Sequence, residues 1–481
     1  MNTTPDRLLQ ALAAFSRNAS LACDASVERA VEAALLDTLA VALGALTHPA
    51  AVAARRYARH AAVAQGATLW GTGERVTAEA AALVNGVPLR AYDYNDLYIG
   101  KSGGHPSDMV PGLVALAQWR GADGPALMGA IALGYEVAVA LFDHLRLRNG
   151  GLDYPNIVAI ACTCAAARLL DLSETQAAEA LAITVIPHLA SLEVESNDLN
   201  RRGDLTMWKR FNGSDAIRQS VYACLLAEAG AEGAVRPFEG RYGLLAQLEL
   251  SEADHAALLG RLDPARPLEA VKRVTYKLWP VGSRGQSAIQ AALQARSRIP
   301  DPARIASVRV LADEGVYDHL VSQRADPWHP VSRETADHSL PCIVAMALLD
   351  GRVDTGTFAQ ARVTHPDVRT VLNDKLVVEP SADLSGGSAA GFLARVEVTL
   401  DDGEVVVGEA GPPPGHILKP FSDGDFEEKL RVNVEPVMGA ARTREILQAV
   451  RALHGADSVE PLCALLGAGA QGVEPAQPAT E

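Results

Sequence analysis

The chain has 481 residues, enough for two or three domains rather than one simple core. Hydrophobic residues make up 48% and aromatics only 5%; with alanine abundant, this favours close-packed helices over a β-sandwich. Asp plus Glu (58) outnumber Lys plus Arg (43), so the net charge is −15. That balance argues against a nucleic-acid partner, and any anionic ligand must be held by cations gathered locally.

The first residues, Met1-Asn-Thr-Thr-Pro-Asp-Arg7, lack the basic and apolar regions of a secretory signal. The longest apolar runs are broken by charges such as Asp37 and Arg168, and are expected to be too short to span a bilayer. A cytoplasmic protein with no membrane partner is the expectation. Six cysteines are scattered without a CxxC pair and read as structural thiols.

Residues 26–262 carry Ala, Leu and Val at helical spacing. This apolar run is interrupted at residues 93–109 by Asp93-Tyr-Asn-Asp-Leu-Tyr-Ile-Gly-Lys-Ser-Gly-Gly-His-Pro-Ser-Asp-Met109. Burying so many polar groups without partners costs several kcal/mol each, so a cluster of this density reads as a site. Its Asp93, Asn95 and Asp96 look like the start of a calcium loop. Leu97 occupies a ligand position, however, and no glutamate closes the loop, so no metal is expected. Farther on, Ser173-Glu-Thr-Gln176 forms a capping box ahead of residues 177–183. Trp208-Lys209-Arg210-Phe211 opens another helix, with the Lys209 ammonium set between two aromatic rings.

The pattern changes near Lys272. Tyr276-Lys277-Leu-Trp-Pro-Val-Gly-Ser283-Arg284-Gly-Gln286 sets two cations on a glycine-rich turn leading into a helix, an arrangement suited to a carboxylate. Strands are expected at 308–311, 394–400 and 404–407, the last two joined through Asp401-Asp-Gly403 as a hairpin. Between them, residues 341–349 read as a buried helix stopped by Gly351, with Arg333-Glu-Thr-Ala-Asp337-His338-Ser339 as its N-cap network. Helices return after Gly411-Pro-Pro-Pro-Gly415, and the tail from Gly467 reads as disordered. Its Gly467-Ala-Gly-Ala-Gln-Gly472 matches the dinucleotide fingerprint but has no room for the helix that must follow. The fold class is therefore mainly α with a smaller α+β domain. Residues 1–270 and 412–466 would form a discontinuous helical domain, residues 271–411 an α+β insertion, and residues 467–481 a tail.

The chain resembles the MmgE/PrpD family through most of its length. The likeness rests on Ala67-Thr-Leu-Trp-Gly71, Asn85-Gly86, Asp93-Tyr-Asn-Asp96, His105-Pro-Ser-Asp108, Met207-Trp-Lys209, Phe238-Glu-Gly240, Lys277-Leu-Trp-Pro-Val281, Glu334-Thr-Ala-Asp-His-Ser-Leu-Pro341 and Gly415-His416. The family includes 2-methylcitrate dehydratases, cis-aconitate decarboxylases and iminodisuccinate epimerases, and the wording here looks most like the first. The resemblance implies a helical domain carrying an α+β lid, a homodimer, a cleft between the domains as the site, and no cofactor. It implies catalytic roles for Asp93, His105, Lys209 and Lys277, with Tyr317 a further match. Asn95, Lys101, Ser107, Ser283, Arg284 and Gln286 are expected to bind the small carboxylate substrate. Two departures fall in the same region: Leu97 replaces a threonine, and Arg284 stands where a histidine is common. The expected chemistry is removal of water from a di- or tricarboxylate, with decarboxylation or epimerisation as alternatives and a non-catalytic helical scaffold as the bland one.

Overall fold

Two large apolar cores organise the chain, in a computed structural model that describes residues 5–194, 205–248 and 250–475. The first core runs from Leu8 to Val274 and resumes from Phe426 to Leu466; the second is made only of side chains between Val281 and Ala410. The order helical, α+β, helical is thus the order of the structure. Three capping boxes fix helix starts, at Ser173, Ser332 and Ser422, because each side chain satisfies a backbone N–H that the helix leaves unpaired.

In the first core, Gly124–His144 is apolar on every side and packs against Pro155–Leu169. By length and composition this helix is long enough to cross a membrane, contrary to the sequence expectation. It is instead mostly buried among other helices, as all-round apolar helices of large cores are. Its buried Glu136 accepts hydrogen bonds from Arg261 (2.8 Å) and from the backbone N–H groups of Glu269 (3.0 Å) and Ala270 (2.8 Å). The helix Ala78–Arg90 crosses Trp208–Glu228 closely at Gly86, where a Cβ would lie 2.7 Å from Ser214 Oγ. That crossing brings Arg90 and Lys209 to the same end of the helical layer.

The second core is a four-stranded mixed sheet covered by helices. Its spatial order is Leu376–Pro380, Ile305–Ala312, Ala394–Leu400, Val405–Ala410, with the first pair parallel and the other two antiparallel. The strand Leu376–Pro380 escapes sequence reading because it is short, ends in proline and lies at a sheet edge. Gln286–Arg296 packs onto the hairpin, and a Cβ on Gly408 would run into the Ala291 carbonyl. Leu340–Asp350 packs beside that helix and ends at Gly351, which adopts φ +65°.

The tail departs from the expected disorder over residues 467–473. The N–H of Ala470 donates to Gly71 O (2.9 Å), that of Gln471 donates to Val437 O (2.8 Å), and Ala470 and Val473 pack on the first core. Here Ala470 and Val473 lie against Gly71, where a Cβ would stand 3.4 and 3.5 Å from them. The expectations for residues 1–4 and 476–481 lie outside the described residues.

Candidate active site

The polar segment starts where the helix Ala78–Arg90 ends. Asp93 takes φ +46°, a left-handed conformation that costs a residue with a Cβ about 1–2 kcal/mol and is retained where neighbours hold it. Tyr98–Ile99 then pairs with Gly103–Gly104 in a two-stranded ribbon that delivers His105. A Cβ on Gly104 would lie 2.6 Å from Tyr154 Cβ, so the glycine serves close approach. Asn95 and Ser107, expected to touch substrate, are used by the scaffold instead. Asn95 Nδ2 donates to Ser107 Oγ (2.9 Å) and Asp108 Oδ1 (3.0 Å), its Oδ1 accepts from Arg90, and Ser107 Oγ donates to Asp96 Oδ1 (2.5 Å).

Where the two cores meet lies a cavity of about 320 Å³ lined by Asp93, His105, Lys209, Lys277, Arg284 and His338 among others. Asp93 is its hub. Lys277 Nζ donates to Asp93 O (2.6 Å) and Oδ1 (3.1 Å), Arg90 Nη2 lies 3.0 Å from Oδ1, His105 Nε2 lies 3.7 Å from Oδ1, and His338 Nε2 lies 3.6 Å from Oδ2. Burial alone would raise the Asp93 carboxyl, but Lys277 and then Arg90 more than offset it and hold it well below the usual range. Burial brings the Lys277 ammonium down to about 8, against the pull of Asp93.

Both histidines are poised as neutral bases. His105 Nδ1 sits 2.5 Å from Asp96 O, and His338 Nδ1 sits 2.5 Å from Asp337 Oδ1. These acceptors place the ring hydrogen on Nδ1 and leave the Nε2 lone pair facing Asp93 and the cavity. Burial, then Arg90 and Lys277, lowers His105 well below its ordinary value; burial, then Lys209, brings His338 down to about 4. Asp337 is itself fully buried and held by Arg210, 3.3 Å away, so a carboxylate backs His338 as an orienting partner.

Among the described residues, six cations (Arg90, Lys101, Arg148, Lys209, Lys277, Arg284) and two carboxylates (Asp93, Asp153) line the cavity, against a chain net charge of −15. This is the local gathering of positive charge that an anionic ligand requires. Lys209 is buried at the second position of its helix, and the Arg284 guanidinium lies 5.4 Å from the Phe392 ring centre. Ser283 and Leu97 also line the wall.

Other expected residues are placed differently. Lys101 lies at the rim with its ammonium paired to Asp254. Gln286 binds the backbone of Leu278, Trp279 and Val281, so it shapes the Lys277 loop and does not line the cavity. Tyr317 packs against the second core; His319 and Leu320, two and three positions on, reach the cavity from there. The sequence reading missed Arg90 and His319 and took His338 for part of a cap. The cap itself is Ser339, whose Oγ accepts from Cys342 N (3.1 Å), and the adjacent Asp-His pair was the available signal.

A further buried cation stands behind the site. Lys429, on the helix Asp423–Met438, pairs with Asp37 (2.5 Å) and donates to Tyr94 O (3.1 Å) and Lys277 O (2.9 Å), the backbone on either side of the hub.

The MmgE/PrpD N-terminal domain model matches residues 10–255, and the MmgE/PrpD C-terminal domain model matches residues 279–454. The chain is 25% identical over 457 residues to a human cis-aconitate decarboxylase, covering 90% of this chain and 88% of that protein. It is 24% identical over 441 residues to a 2-methylcitrate dehydratase of Salmonella typhimurium, covering 86% and 87%. A 2-methylcitrate dehydratase of Cupriavidus necator is 23% identical over 392 residues, covering 77% and 78%. With both halves of the chain matched in order, and with its conspicuous polar motifs converging on one cavity, this protein belongs to the MmgE/PrpD family.

Proposed function

We propose that the protein is a lyase that removes water from a small di- or tricarboxylate of the 2-methylcitrate kind. The observation that carries this reading is the Asp93 hub, where two neutral histidines and a cluster of cations face one cavity. Lys209 and Arg284 hold substrate carboxylates and the charge that develops when the adjacent C–H bond breaks. His338 Nε2 takes the carbon-bound proton, and the resulting imidazolium is stabilised by Asp337. The C–O bond then breaks, and Lys277 gives its proton to the departing hydroxide, so that water leaves. Asp93 keeps Lys277 charged and aimed, and His105 orients the substrate beside it. The names of the bacterial relatives support dehydration.

Loss of a carboxylate from a cis-aconitate-like acid is the second reading, favoured by the 90% of this chain that the human decarboxylase covers. Both reactions build negative charge next to a carboxylate, which this cavity suits. Incubation with 2-methylcitrate, citrate, cis-aconitate and iminodisuccinate in deuterated buffer, followed by NMR, separates them. A new alkene signal from 2-methylcitrate or citrate is the expected result. Carbon dioxide release from cis-aconitate, or deuterium exchange with a new diastereomer of iminodisuccinate, would replace the dehydratase reading.

A further inference from the structure

A second cavity of about 230 Å³ adjoins the first and shares four wall residues with it: Leu97, Ile99, Lys277 and Ser283. Its character is different. Leu97, Tyr98, Ile99, Phe392, Pro413 and Ile417 give it an apolar lining. The charged and titratable groups that border it are engaged elsewhere. Arg273 binds Asp143 (3.1 Å) and the Tyr98 hydroxyl (2.5 Å), and Lys277 binds Asp93. Gln286 is tied to backbone groups, and His416 lies 2.9 Å from Ser388 O with its other nitrogen accepting from Leu418 N (3.2 Å). A carboxylate entering this space would meet no uncommitted cation among the described residues, whereas an alkyl group would shed water against a ready apolar wall. At its outer end Ala389 and Ile417 are exposed to solvent, so the chamber opens outward and sets no sharp limit on length.

We propose that this chamber receives an apolar chain carried by the substrate, so that the preferred class is a tricarboxylate bearing an alkyl substituent longer than methyl. The carboxylates would occupy the cationic cavity, and the chain would pass the Leu97 partition into the apolar one. Leu97 is then a specificity-determining residue, because its side chain forms wall for both spaces. The proposal rests on the carboxylate-lyase reading above and adds a substrate class to it.

The test separates binding from chemistry. Affinities of tricarballylates carrying methyl, ethyl and butyl groups, which have no hydroxyl to lose, are measured by calorimetry; turnover is measured on the matching alkyl citrates. Burial of each added methylene is expected to raise both affinity and kcat/KM roughly fourfold. In Ala389→Phe, which fills the mouth of the chamber, the butyl-to-methyl ratio should fall towards one; if that variant does not fold, the wild-type series decides alone. Affinity that stays flat or declines from methyl to butyl overturns the chamber, whether or not the methyl compound is turned over. Affinity that climbs with chain length while no alkyl citrate loses water keeps the chamber and overturns the dehydratase reading.

Discussion

Replacing Asp93 with Asn removes the negative charge to which Lys277 is tied while keeping the shape of the side chain. The Lys277 ammonium lies 3.1 Å from Asp93 Oδ1. At the effective dielectric constant that suits buried pairs, about 20, Coulomb's law gives about 5 kcal/mol for two charges at that distance. At about 1.4 kcal/mol per pKa unit, this corresponds to a shift of about 4 units, and relaxation with water entry reduces it to roughly half. Lys277 sits at about 8 in the native protein, so in Asp93→Asn it should lose its proton below neutrality. Because the account needs the charged ammonium, wild-type kcat/KM should fall as pH rises through about 8, and in the variant the fall should begin about two units lower. A labelling measurement gives the same answer without turnover: the rate at which a small acylating reagent modifies Lys277, followed by mass spectrometry across pH, reports its free-base fraction. The reasoning is refuted if both the alkaline limb and the labelling midpoint stay near their wild-type positions.

Three other outcomes follow from the geometry. His338 is held neutral at about 4 in the fold, whereas an unfolded histidine takes a proton near 6.5, so the unfolded chain binds more protons between these values. Native stability should therefore drop as pH falls from 6.5 to 4, by up to ~3 kcal/mol from this group, and His338→Gln should lack that component in urea titrations. Lys429→Met strands Asp37 as a buried charge and should cost about 3–5 kcal/mol, while Asp37→Leu combined with Lys429→Met should recover much of it. The double variant should still show reduced kcat, because the Tyr94 and Lys277 carbonyls lose the ammonium that holds them. Tyr317→Phe should leave kcat/KM within about twofold of wild type, since the ring packs on the second core and lies away from the cavity.

Sequence periodicity carries the helical architecture well because most of these helices bury one face or all of their surface in a large core, and the Asp401-Asp-Gly403 turn is a sufficient signal for its hairpin. The strand Leu376–Pro380 is invisible by the same logic, since Val377 on its exposed face is apolar and hides the alternation. The polar motifs name Asp93, His105, Lys209 and Lys277, and the fold brings all four to one cavity. What spacing alone does not convey is which polar residue is spent on the scaffold. Asn95 and Ser107 have the composition of binding residues, yet their hydrogen bonds are consumed in holding the segment that carries them. Arg90 is the converse: as the last residue of an apolar helix it looks like an ordinary C-terminal cation, and only the left-handed turn at Asp93 folds the carboxylate back onto it.

The central claim is that the cations around Asp93 hold a carboxylate substrate with its reacting carbon before His338. A crystal structure with tricarballylate, which keeps the three carboxylates and has no hydroxyl to lose, tests it most directly. The account predicts carboxylates on Lys209 and Arg284 and a methylene carbon within reach of His338 Nε2. Tricarballylate bound with its carboxylates away from these two cations, or a cavity left empty at saturating ligand, would contradict it.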